Sequence, residues 1–129
     1  MIDAATKRFV RQRAGNRCEY CGLHQDQSPL ATLQIEHIIP RKHGGKDNPD
    51  NLALACIDCN LSKSSNIAGR DPGTNQLTPL FNPRSQLWED HFALQGAYIV
   101  GRTAVGRTTV LVLNMNSDEQ LELRAVEHK

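Results

Sequence analysis

Leu33-Gln34-Ile35-Glu36-His37-Ile38-Ile39-Pro40 and, after a polar loop, Leu52-Ala53-Leu54-Ala55-Cys56-Ile57-Asp58-Cys59-Asn60 decide how this chain folds. The first stretch alternates apolar and polar residues and is rich in β-branched side chains, which predicts a strand ended by Pro40, with Glu36 and His37 on opposite faces. Arg41 to Asp50, with Gly44-Gly45 and Asn48-Pro49, has loop composition. Leu52 to Cys56 is a short apolar strand. Asp58 can then cap a helix through Asn60, Leu61, Lys63 and Ser64, so the middle of the chain reads strand, loop, strand, helix.

Two cysteine pairs bracket this unit, Cys18-x-x-Cys21 and Cys56-x-x-Cys59. A chain of 129 residues, 39% hydrophobic and 5% aromatic, with 9 Gly and 6 Pro, is one domain with a thin core that needs a staple beyond packing. No apolar run near Met1 to Gly15 is long enough for a signal sequence, and none approaches the ~18 residues of a membrane span. The expected setting is therefore cytoplasmic and reducing, where disulfides rarely persist and two such knuckles hold a tetrahedral Zn²⁺. Cys18, Cys21, Cys56 and Cys59 are the expected ligands of one structural zinc per chain.

Outward from the bracket, Asp3 can cap a basic helix over Ala4 to Ala14, stopped by Gly15 and Asn16. The expected layout is this helix within 1–17, the knuckles and core in 18–67, a linker loop over 68–79 and a C-terminal extension over 80–129. In that extension His91 to Leu94 and Tyr98 to Gly101 read as a hairpin about Gln95-Gly96. Ser117-Asp118-Glu119-Gln120 is a capping box that opens a terminal helix. Thr108 to Leu113 reads either way, as a β-branched strand or as a helix from Thr103 to Asn114 or Asn116. The fold class is α+β, a small single domain.

Glu36-His37-Ile38-Ile39-Pro40-Arg41, Gly44-Gly45, Asp47-Asn48, Asn51-Leu52, Cys56, Cys59-Asn60 and Lys63 together resemble the HNH endonucleases over roughly residues 15 to 65. His37, Asn51 and Asn60 match the three positions that name the family, with Asn in place of the final His. The resemblance implies a ββα-metal fold, and it extends to Leu80-Phe81-Asn82-Pro83-Arg84, Trp88, His91-Phe92, Thr103, Gly106-Arg107 and Met115-Asn116 as a C-terminal extension. It also implies DNA as the substrate, with 5′-phosphate and 3′-hydroxyl products.

Phosphodiester hydrolysis needs a base to make hydroxide and a cation to neutralise charge on the phosphate. His37 suits the first task, because imidazole titrates near neutrality. Four thiolates close the zinc, so a second ion is expected: Glu36 and Asn60 offer hard oxygens suited to Mg²⁺ or Mn²⁺. By the resemblance Asn51 pins the loop so that His37 faces the phosphate. Arg41, Lys42 and Lys63 are the candidate phosphate contacts. His43 in its loop and His91 beside Trp88 and Phe92 read as ordinary loop and core residues.

The formal charge is only +1, yet residues 1–46 hold 8 basic and 4 acidic side chains, so the front of the chain is basic. Modest, salt-sensitive binding follows, and with no recognition module large enough to read a long site, weak sequence specificity is expected. Cleaving both strands with one site calls for two protomers, as in a homodimer, or two events. A zinc-ribbon nucleic-acid-binding module without activity is the alternative, and a protein-interaction zinc knuckle a third; neither gives Glu36, His37 and Asn60 a reason to stand where they do.

Overall fold

A computed structural model describes residues 2–126. Asp3 accepts from the Thr6 amide and starts α1 (Ala4–Arg13), which ends where Gly15 and Asn16 turn left-handed. Strands β1 (Gln34–His37) and β2 (Leu52–Ala55) pair antiparallel, with Glu36 opposite Ala53 and His37 opposite Leu52. Every residue of β2 is buried, because α1 packs against both strands and the first knuckle docks on the free side of β2. There the Glu19 amide donates to Leu54 O, and the Leu54 amide returns to Glu19 Oε2.

Helix α2 (Ile57–Lys63) follows β2 directly. Its cap is Cys56, not Asp58 as expected: Cys56 has extended backbone, and its sulfur accepts from the Cys59 amide. Between the strands the expected loop is folded into two single turns, Arg41–His43 and Pro49–Asn51. Gly45 is required where this loop doubles back, because a Cβ there would lie 1.6 Å from Ile39 O.

Residues 68–79 are not the expected linker loop. They form a hairpin, β3 (Ala68–Arg70) with β4 (Leu77–Pro79). Asp71 holds its turn by accepting from the Gly73 amide and the Thr74 hydroxyl. Next come one helical turn, α3 (Trp88–His91), and the expected hairpin, β5 (Phe92–Gln95) with β6 (Tyr98–Gly101). The ambiguous stretch is helical: α4 (Ala104–Val112) is capped by Thr103 and packs against β6, β3 and β4. Gly69 lets it approach, since a Cβ there would meet Val112 Cγ2 at 2.6 Å.

Ser117 caps α5 (Asp118–Ala125), but Gln120 does not return to Ser117 as a capping box requires. Its amide is used elsewhere, at the cysteines. Tyr20, Phe81, Phe92 and Trp88 join the halves into one core, and the Trp88 indole donates to Tyr20 O. Among the described residues no helix is long and apolar enough to cross a membrane.

Candidate active site

The knuckle sequences place Cys18 and Cys21 after α1 and Cys56 and Cys59 at the start of α2, and their four sulfurs lie within 4.8 Å of one another. All four are buried. The Cys21 amide donates to Cys18 Sγ and the Cys59 amide to Cys56 Sγ, both at 3.4 Å. Hydrogen bonding among the bare thiols pushes Cys21 and Cys59 up and pulls Cys56 far down. Four converging soft donors with N–H groups on the sulfurs fit a structural divalent metal such as zinc. From α5, Gln120 Nε2 donates to Cys56 Sγ at 3.4 Å and to Asp58 Oδ2 at 3.0 Å.

His37 ends β1, four-fifths buried, and its Nε2 lies 2.8 Å from Asp47 Oδ1. Arg41 reaches the same carboxylate with Nη2 at 2.9 and 3.0 Å and with Nε at 3.1 Å. The bond to His37, with those from Arg41, holds Asp47 well below the usual carboxylate range. An ionised Asp47 can only accept, so Nε2 carries a proton, and in the neutral imidazole Nδ1 carries the lone pair. Asn51 spans the loop beneath: its Oδ1 accepts from the Ile39 amide, and its Nδ2 donates to Ile39 O and Lys46 O.

Glu36 lies on the other face of β1 and is buried. Its Oε1 accepts from the Tyr20 hydroxyl, and its Oε2 from Lys63 Nζ at 3.2 Å. Burial pushes its carboxyl up, against the pull of Lys63. Lys63 therefore departs from its expected role. It is 1% exposed, and its ammonium is also bonded to His37 O and Ile38 O, so it reaches no phosphate.

Asn60 donates its amide to Gln34 Oε1. Glu36 and Asn60 thus do not fit the expected Mg²⁺ or Mn²⁺ site as they stand: the carboxylate already holds an ammonium where a divalent ion needs free oxygens. Arg41 and Lys42 remain exposed, and His43 is exposed beside them. His91 packs edge-on against Phe81 and bonds Thr103 Oγ1 through Nδ1, as a core residue does.

Sequence reasoning gave no role to Asp47, although it quoted the residue, and none to α1 at the site. Asp47 shares its loop with Asp50, and ten residues of separation do not say which carboxylate turns back to His37. The imidazole lines a groove of about 880 Å³ whose other walls include Lys7 and Arg11 of α1, Leu30, Gln34 and Arg41. Arg11 holds that wall in place by donating to Leu33 O.

Residues 18–66 match the sequence profile of the HNH endonuclease family. The chain is 25% identical over 122 residues to the Septu protein PtuB of Bacillus thuringiensis, covering 89% of this chain and 42% of that protein. It is 32% identical over 62 residues to the type IV methyl-directed restriction enzyme EcoKMcrA of Escherichia coli K12, covering 44% of this chain and 22% of that enzyme. The chain thus spans less than half the length of these relatives. No solved structure gives a significant match.

Proposed function

Residues 18–66 form an HNH endonuclease domain, and from that premise we propose that the chain hydrolyses phosphodiester bonds in DNA, with His37 as general base. The supporting observation is that His37, held by Asp47, lines a groove whose walls also carry Lys7, Arg11 and Arg41. Asp47 keeps the Nε2 proton, so Nδ1 accepts a proton from water as its oxygen attacks phosphorus. The P–O3′ bond breaks, the electron pair leaves with the 3′-oxygen, and protonation there gives a 3′-hydroxyl opposite a 5′-phosphate. A Mg²⁺ or Mn²⁺ ion, were one bound, would neutralise charge on the phosphate; Glu36 and Asn60, its expected ligands, do not fit such an ion as placed.

The cysteine cluster holds one Zn²⁺ in this reading and keeps β2, α2 and the first knuckle in register. Its four thiolates leave no open position, so the zinc takes no part in the chemistry. Asn51 shapes the loop that carries Arg41 and Asp47, and Arg41 and Lys42 stand where a phosphate can approach.

Purified protein incubated with supercoiled plasmid and Mg²⁺ or Mn²⁺ converts it to nicked or linear DNA. His37→Ala, which leaves the zinc site intact, loses about 10²- to 10⁴-fold in rate, the usual contribution of a general base. An intact plasmid under every metal and salt condition refutes the enzyme and leaves the binding module standing. Equal cleavage by both proteins refutes the base.

A further inference from the structure

Helix α1 lies outside the residues that match the HNH profile, yet it forms one wall of the groove lined by His37. Lys7 and Arg11 are one helical turn apart and share that face. Arg11 is tied to Leu33 O, whereas Lys7 is exposed. Leu30, 99% exposed, also lines the groove. A single exposed leucine is ordinary, but this one is held out by a built loop: Gln25 Nε2 donates to Ser28 O and Ala31 O, and the Leu33 amide donates to Gln25 Oε1. None of the described residues lining the groove is acidic, and the acid beside it, Asp47, is already paired with His37 and Arg41 of its wall.

We infer that this groove is the track along which one DNA strand leaves the scissile phosphate. Lys7 meets a backbone phosphate, and Leu30 packs against the sugars and bases of the strand or wedges between two of them. The assignment of the strand as DNA rests on the nuclease reading. Charge complementarity and continuity with His37 select this occupant: a cationic wall and an apolar rim, running from a base that acts on a phosphodiester, match a polyanion with apolar bases. The known core of the domain then supplies the cut, and a helix beyond it supplies the hold.

The test is binding of a short fluorescein-labelled DNA duplex by the full chain, followed by anisotropy over a salt series without added Mg²⁺ or Mn²⁺. Lys7→Gln weakens binding severalfold and flattens the slope of log K against log salt by about 0.9, the loss of one phosphate contact. Arg8→Gln removes the same charge from the same helix at a position that does not line the groove, and it leaves the slope unchanged. Leu30→Ala weakens binding severalfold at unchanged slope. Equal effects of Lys7→Gln and Arg8→Gln, or none from Lys7→Gln, overturn the track; wild-type binding by Leu30→Ala overturns the apolar rim. Melting temperatures by circular dichroism confirm that these surface variants are folded.

Failure of the nuclease reading is separable. Plasmid left intact while the binding series behaves as expected removes the cleavage and keeps the groove. Wild-type cleavage with Lys7→Gln binding as the wild type at every salt removes the groove alone.

Discussion

Asp47 and Lys63 each act on His37, from opposite sides of β1. Asp47 fixes the ring through Nε2, and Lys63 holds the His37 and Ile38 carbonyls through Nζ. Asp47→Asn removes the charge that selects the Nε2-protonated tautomer. Cleavage therefore falls, by less than in His37→Ala, while duplex affinity in the anisotropy assay holds. A variant that cleaves as the wild type does would remove Asp47 from the positioning of the base. Lys63→Ala strands the Glu36 carboxylate in the core, and breaking a buried pair in this way costs about 3–5 kcal/mol. Urea unfolding reads the loss. Glu36→Gln combined with Lys63→Met, which leaves no lone charge, recovers part of it; a double variant less stable than Lys63→Ala contradicts this account.

At the scale of elements, the β3–β4 hairpin is fastened to α4 by a single carboxylate. Asp71 has no exposed surface and accepts from Arg107 Nε at 3.0 Å and Nη2 at 2.9 Å, besides its turn contacts. The Arg107 bonds first, then the Gly73 amide, hold its carboxyl well below the usual carboxylate range. A folded pKa below the unfolded one, about 3.9, means stability that is complete above about pH 4 and lost as acid drives the folded carboxylate to protonate. The stability gap between wild type and Asp71→Asn accordingly narrows from about pH 6 to pH 3 in urea melts; a gap that widens in acid removes this pairing as its source.

This fastening explains what the sequence did not disclose. Gly69, Pro72 and Gly73 carry loop composition, and three-residue strands are too short for alternation to show. Gly69 is there because α4 needs the space of a missing Cβ. Thr108 to Leu113 favours strand by residue type, yet Thr103 caps a helix, and packing against β6 decides the matter. By contrast β1, β2, the cysteine cluster, α1, and the β5–β6 hairpin were legible, since alternation, capping and ligand spacing are local signals. The turning of Glu36 inward was only half legible: its face follows from periodicity, but its partners, Tyr20 and Lys63, lie 16 and 27 residues away.

For the whole molecule the cysteine cluster is where distant segments meet: the first knuckle after α1, the start of α2, and α5 through Gln120. Elemental analysis is expected to find one zinc per chain. Cys18→Ser, or chelation of the metal, unfolds the chain as read by circular dichroism, because such a site contributes on the order of 10 kcal/mol in isolated zinc fingers. A folded, metal-free chain refutes that role.

Gln120 gives this junction a further property. Its amide proton points at the Cys56 sulfur, and a sulfur that shares its lone pair with an N–H is a poorer nucleophile towards oxidants and alkylating agents. Cys56 is thus chemically sheltered only while α5 stays docked. Loosening of α5 would uncover Cys56, so the reactivity of one member of the cluster is governed in part by a helix that contributes no cysteine to it.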